Sequence, residues 1–207
     1  MKEDYYVIDG LIPEKDQLIL YDYVKNHNIK WEVMENITGQ YGGKKYTHKF
    51  PGKVHPRISC ENEEIKVLAN KIQHIVSEHL NLEFLQNYRW KINWTSPLGH
   101  PYDPMDLLHQ DRMEEHIAMV YYINDSDGDT NIYNNKLGNN AETHQSSLKR
   151  VDFDSYELMT NVSPKMGRCL IFNGKFAHQA NYPTLNDRFI INFNFVAKSS
   201  NINKKML

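Results

Sequence analysis

The 207 residues include only two cysteines, Cys60 and Cys169. That is too few for a disulfide-stapled scaffold or for a Cys-based zinc or iron–sulfur site. Long hydrophobic runs are also missing. The longest, Ile117 to Ile123, falls far short of a bilayer span. Charge of one sign is not in excess either. A net charge of −2 argues against a generally nucleic-acid-binding surface, though it leaves room for a local basic patch. The opening Met1 to Tyr6 is charged and lacks the apolar core of a secretory signal, so we expect a soluble, cytoplasmic chain. No repeat and no Gly/Ser/Pro-rich linker divides it, and its length favours one domain, 1–207. Hydrophobic residues at 40% and charged residues at 24% exclude a disordered chain. Ten histidines are present. A metal site, if there is one, must draw on imidazoles and carboxylates.

The first part of the chain, 1–83, reads as supporting helices. Tyr5 to Ile8 suits a short strand. Pro13 suits the first turn of a helix with Leu18, Tyr21 and Val24 along one face. Ile65, Leu68, Ile72, Ile75, Val76 and Leu80 follow helical spacing from Asn62 to Leu80, as expected of a helix covering a sheet. Between the helices, Gly39 to Arg57 carries five basic residues (Lys44, Lys45, Lys49, Lys53, Arg57) and no acid. It reads as a loop or loose hairpin, either a solvated surface segment or a lid beside a substrate.

From 84 to 197 the texture changes to short β-type runs: Tyr88–Trp94, Ile117–Ile123, Thr130–Tyr133, Glu157–Val162, Arg168–Phe172 and Phe189–Ala197. Turn signals separate them, as in an antiparallel sandwich or barrel. The last run alternates Phe189, Ile191, Phe193 and Phe195 against Ile190, Asn192, Asn194 and Val196. A semi-polar face of that kind suits a barrel holding a polar ligand. Residues 134–156 read as an insertion, and 198–207 as a frayed tail.

His109-Gln110-Asp111 sets an imidazole and a carboxylate two residues apart, on one side of a strand. Alone the pair is a weak signal. Downstream come a strand, an Asn173-Gly174 turn, His178 on a loop, and Arg188 opening the last apolar strand. His79 and Arg89 share the same ten-residue spacing by accident, since His79 closes a helix. Two histidines and one carboxylate match the facial triad of non-haem Fe(II) oxygenases. Three ligands leave three cis positions open for a bidentate 2-oxo acid and O₂. The far carboxylate of such an acid needs a buried cation, and an arginine fork serves it better than lysine.

On these motifs the chain resembles the 2-oxoglutarate/Fe(II)-dependent dioxygenases, specifically their prolyl-4-hydroxylase-like branch. The resemblance runs from Tyr88 to Ala197. It rests on His109-x-Asp111, Tyr121-Tyr122-Ile123-Asn124, Asp127-Gly128-Asp129-Thr130, Pro164-Lys165-Met166-Gly167-Arg168, Phe172, His178 and Arg188. The segment Tyr121 to Thr130 looks like small phage-encoded members. The resemblance implies a mainly β fold with supporting helices: a double-stranded β-helix, the jelly roll of cupins. It implies His109, Asp111 and His178 as iron ligands, and Arg188 as the partner of the 2-oxoglutarate 5-carboxylate. Tyr122 and Asn192 are further candidates for binding that co-substrate. Fe(II), 2-oxoglutarate and O₂ are the implied cofactors and co-substrates, with ascorbate as a candidate reductant. Asp111 argues against the related halogenases, which open that position for chloride. The tyrosine expected about ten residues before His109 is replaced by Gly99, leaving Asn93, Trp94 or Tyr102 as candidates for its role.

The implied reaction is C–H hydroxylation with release of succinate and CO₂. A prolyl residue of a protein or peptide is the first substrate expected. A small metabolite remains open. A nucleic-acid demethylase of the AlkB type is disfavoured because Asn194 stands where a second arginine is usual. A non-catalytic, metal-binding cupin-like module is the alternative from another class, and Arg188 is the residue it does not need. His116, near the start of a strand, is read as structural or solvent-facing rather than as part of the site.

Overall fold

The computed structural model describes residues 4–26, 29, 31–34, 40–41, 44–45, 52–56, 60–97, 109–112, 114–136 and 156–199. The chain begins with β1 (Tyr5–Ile8) and α1 (Glu14–Lys25). Short strands β2 (Glu32–Met34), β3 (Gln40–Tyr41), β4 (Lys44–Lys45) and β5 (Gly52–Pro56) precede α2 (Glu63–Leu80). Seven strands complete it: β6 (Leu82–Thr95), β7 (Ile117–Tyr122), β8 (Thr130–Lys136), β9 (Leu158–Val162), β10 (Cys169–Asn173), β11 (Phe176–Ala180) and β12 (Arg188–Ser199).

Both helices carry their own termination signals. Glu14 and Asp16 lie in the first turn of α1 and Lys25 in its last, each favourable to the helix dipole. The Asn62 side chain caps α2 by accepting from the Ile65 amide at 3.2 Å, and Asn81 ends it in the left-handed region at φ 53°. The α2 face predicted from spacing is buried at Ile65, Leu68, Ile72 and Val76. The predicted face of α1 needs correction. Leu18 is 45% exposed, and Asp16, Leu20 and Val24, each four residues apart, form the buried stripe. Asp16 tolerates burial because Lys71 of α2 reaches it at 2.7 Å.

The strands form a seven-stranded antiparallel sheet, ordered β1-β10-β7-β12-β6-β5-β2, facing a three-stranded sheet, β11-β8-β9. This is a jelly roll. The large sheet has two buried faces, so its central strands are apolar on both. Ile117, Met119 and Tyr121 of β7 join Phe189, Ile191, Phe193 and Phe195 of β12 in the core under the helices. Ala118, Val120, Tyr122 and Ile190 face the barrel interior with Leu170 and Phe172. The semi-polar alternation of β12 thus marks the inner wall, where Asn192 and Asn194 are buried.

Several predicted boundaries shift: β6 begins at Leu82 rather than Tyr88, and β8 runs past Tyr133 to Lys136. The segment read as a loop or loose hairpin holds the antiparallel pair β3–β4, as a hairpin would, and also contributes β5 to the large sheet, pairing Lys53 with Trp94. Lys49 and Arg57 lie outside the described residues. The last strand runs past Ala197 to Ser199, taking the start of the expected tail into the sheet.

Candidate metal centre

His109 and His178 are joined by the backbone before their side chains act. Each amide donates to the other's carbonyl at 2.9 Å, an isolated antiparallel bridge between the His109 segment and β11. A residue pair of this kind puts both side chains on one face at short range. The imidazole centroids are 4.5 Å apart. Asp111, two residues on, adds its carboxylate: Oδ1 is 3.7 Å from His109 Nε2 and Oδ2 is 3.9 Å from His178 Nε2. One ligand atom from each of the three lies within 4.8 Å of the others, the only such group of three among the described residues.

His178 does not sit on a loop, as the sequence reading had it, but within β11. The register shifts between Phe176 and His178, and a bulge next to a site re-aims a side chain. No apolar alternation announces this strand, because its inner residues serve the site. His178 Nδ1 donates to the Phe176 carbonyl at 3.0 Å, which leaves Nε2 with its lone pair toward Asp111. Burial and the neighbouring His109 push the His178 pKa down to about 4, keeping the imidazole in the neutral, ligating form. Burial alone would raise Asp111. The His109 hydrogen bond and electrostatic interaction with the two imidazoles and Arg89 outweigh it and hold the carboxyl well below the usual carboxylate range.

Two further groups grip Asp111. Asn192 Nδ2 donates to Oδ2 at 3.1 Å, and Asn194 Nδ2 donates in turn to Asn192 Oδ1 at 2.9 Å. Arg89 Nη2 donates to Oδ1 at 3.0 Å. The structure therefore brings Asn192 to the metal carboxylate rather than to Arg188, with which the sequence grouped it. Arg89 was missed. No sequence signal marks it; its place comes from the register that pairs Arg89 with Asn194 across β6 and β12.

Arg188 opens β12 at the other end of the inner wall. Its side chain is buried, and Nη2 donates to Thr130 Oγ1 at 2.9 Å. The Tyr122 hydroxyl donates to the same Thr130 oxygen at 2.8 Å. The guanidinium lies 5.7 Å from the Tyr122 ring centroid. Thr130, within the Asp127 to Thr130 motif, was not singled out from sequence. Arg188 has no ion-pair partner among the described residues, and its Nε is buried without any hydrogen bond. Burial lowers its pKa accordingly. A buried cation with an unused donor matches an incoming carboxylate. Gly128 permits this placement. A Cβ there would stand 2.9 Å from Arg188 Cδ and 2.8 Å from the Asn181 carbonyl oxygen.

Of the candidates for the missing tyrosine, Asn93 pairs with Ile190 on the inner wall and its Oδ1 is buried without a partner. Trp94 points the opposite way, stacked on Phe189 at 5.6 Å. Gly99 and Tyr102 lie outside the described residues. His116 is buried: Nδ1 meets the Glu114 carbonyl at 2.8 Å, and the ring packs where a Cβ on Gly174 would stand.

No protein-family model and no curated protein matches the sequence. Solved structures do match. The non-haem α-ketoglutarate-dependent epimerase SnoN of nogalamycin biosynthesis has a TM-score of 0.66 at 9% identity, covering 94% of this chain and 78% of its own. A prolyl hydroxylase of Trichoplax adhaerens, solved with a hypoxia-inducible-factor peptide, scores 0.58 at 14% identity over 93% of this chain and 83% of its own. HygX of Streptomyces hygroscopicus, solved with nickel, 2-oxoglutarate and hygromycin B, scores 0.57 at 14% identity over 93% and 82%. The chain has the jelly-roll fold of these oxygenases. Among the described residues, no helix is long and apolar enough to cross a membrane.

Proposed function

We propose that the protein is a 2-oxoglutarate- and Fe(II)-dependent dioxygenase that hydroxylates a C–H bond, with His109, Asp111 and His178 as metal ligands. The observation that carries this reading is the pairing of that ligand set with Arg188, a buried cation with a free donor at the far end of the same wall. A plain metal-binding cupin has no use for such a cation. Fe(II) at this site would supply O₂ activation coupled to decarboxylation of 2-oxoglutarate to succinate and CO₂.

The chain's own residues divide the remaining work. Arg188, Thr130 and Tyr122 bind the distal carboxylate of the co-substrate. Asn192 and Arg89 orient Asp111, each from a different carboxylate oxygen. Val120, Ile190 and Phe172 line the interior and exclude water. The substrate we propose is a prolyl residue of a protein or peptide in the cytoplasm. The likeness to the Trichoplax prolyl hydroxylase supports it. A small molecule is the second reading, supported by the likeness to HygX, which was solved with hygromycin B.

Succinate release from protein supplied with Fe(II), 2-oxoglutarate and ascorbate tests the reaction class. An absence of both turnover and 2-oxoglutarate binding, with Arg188→Ala changing nothing, would sink it. A proline-peptide screen by mass spectrometry tests the substrate. Gain of one oxygen on proline supports the first reading, and gain only on small molecules supports the second.

A further inference from the structure

We propose that Lys91 is a second carboxylate-binding cation of the pocket, taking the metal-end carboxylate of the 2-oxo acid while Arg188 takes the distal one. This rests on the dioxygenase reading and adds a residue to it. Trp90 and Ile92 point into the core beneath the helices, so Arg89, Lys91 and Asn93 of β6 point into the barrel. The ladder fixes their order along the wall. Thr95 pairs with Arg188, Asn93 with Ile190, Lys91 with Asn192, and Arg89 with Asn194.

Paired residues share a face, so a ligand anchored at Arg188 and directed toward the metal runs along this ladder. It passes Asn93 and ends beside Asn192, which holds Asp111 at 3.1 Å. Four residues separate the two cations, about 13–14 Å between backbone positions. Two long side chains and a five-carbon dicarboxylate together fill that gap.

The two basic residues at the metal end differ. Arg89 is committed to Asp111 at 3.0 Å. Lys91 makes no hydrogen bond or ion pair with any described residue, although it is largely buried and lies within the field of both Asp111 and Arg89. Beside it, Asn93 Oδ1 is also buried without a partner. A metal-chelating carboxylate uses one oxygen for the metal and needs a donor for the other. Lys91 is the ammonium whose position on the wall fits that need, and its charge offsets the anion.

Calorimetric titration of the Mn(II)-loaded protein under anaerobic conditions tests this without turnover. The probes are 2-oxoglutarate and 2-oxopentanoate, which keeps the metal-end carboxylate but lacks the distal one. Lys91→Met is expected to weaken both by about ten- to a hundredfold, the range of a lost charge-assisted hydrogen bond. Arg188→Met is expected to weaken 2-oxoglutarate only. Lys91→Arg recovers most of the affinity, and Lys91→Gln guards against a packing defect in the Met variant. If wild type binds both acids and neither Lys91→Met nor Lys91→Gln loses affinity, Lys91 does not have this role and the dioxygenase reading stands. If wild type binds neither acid, the dioxygenase reading falls and this inference with it.

Discussion

Adding one methyl group at Gly128 tests the link between fold and site most directly. The turn from Asp125 to Asp129 is zipped to the loop before β12. Asp127 accepts from the Thr184 amide at 2.9 Å and from the Leu185 amide at 3.2 Å, and the Asn181 amide donates to the Asp129 carbonyl at 2.7 Å. A Cβ on Gly128 would meet the Asn181 carbonyl oxygen at 2.8 Å, Arg188 Cδ at 2.9 Å and the Pro183 nitrogen at 3.0 Å. Two of these three are backbone atoms held by the zipper, so the turn cannot yield cheaply and Arg188 must move. Overpacking of this kind costs about 1–3 kcal/mol. The reduced freedom of the unfolded Ala chain returns about 0.4–1 kcal/mol. Gly128→Ala should therefore lose up to about 2.5 kcal/mol, a fall in Tm of roughly 2–4 °C for each kcal/mol lost in a chain of this size.

The same displacement pulls the guanidinium from Thr130, so affinity for 2-oxoglutarate should drop by about tenfold or more, the effect of one lost charged hydrogen bond. Thermal denaturation and titration of the Mn(II) form read the two effects separately. A Gly128→Ala protein with unchanged Tm and unchanged 2-oxoglutarate affinity would refute the argument that this glycine exists to seat Arg188. A loss of Tm with intact affinity would show that the turn moves away from Arg188 instead.

Other substitutions follow from the same geometry. Arg188→Met should abolish the 2-oxoglutarate-induced rise in Tm yet leave the ligand-free Tm equal or higher, because it removes a buried cation that lacks an ion-pair partner; a marked fall in ligand-free Tm would contradict this. Asn192→Ala strips a donor from Asp111 and should weaken Mn(II) binding by about 10–100-fold, measured by metal titration, with little change in secondary structure by circular dichroism. His116 and His178 both have pKa values lowered by burial. The unfolded chain then binds more protons on acidification, so metal-free stability should fall as pH drops below about 6.5 and keep falling toward about 4, the His178 value. Urea midpoints across this range check it, and a flat profile would exclude that burial penalty. Bound Mn(II) should hold Tm up at near-neutral pH and lose that effect as acid protonates the ligands.

How much was legible depended on whether a property is local. The amphipathic spacing of α2, the alternation in β12 and the turn signals between strands are nearest-neighbour features. They were enough to predict an antiparallel sandwich or barrel with supporting helices; the jelly roll itself was implied by the family resemblance, and the structure has that architecture. The order His109, Asp111, His178 and Arg188 was readable from residue type, spacing and the family resemblance, and the structure brings the first three together. Other readings failed where neighbours in space outvoted neighbours in sequence. Leu18 fits a helical face in the sequence, yet the stripe that faces α2 runs through Asp16, whose partner Lys71 lies 55 residues away. His178 lacks apolar neighbours in an alternating pattern, and only its pairing with β8 and His109 makes it part of a strand.

The sequence alone pointed to the composition of the proposed centre: two imidazoles, one carboxylate and an arginine to follow, in a chain too poor in cysteine for a thiolate-based site. Tertiary structure decided which further residues touch it. Arg89, Lys91 and Asn93 belong to the wall because β6 pairs with β12 in one register. A shift of one residue would have turned them toward the helices and put Trp90 and Ile92 in the pocket. Strand register is set by the sum of contacts along two distant segments, and no local spacing encodes it. Asn192 illustrates the same point. Its position four residues after Arg188 placed it on the inner face, but only the fold showed that its amide ends on Asp111.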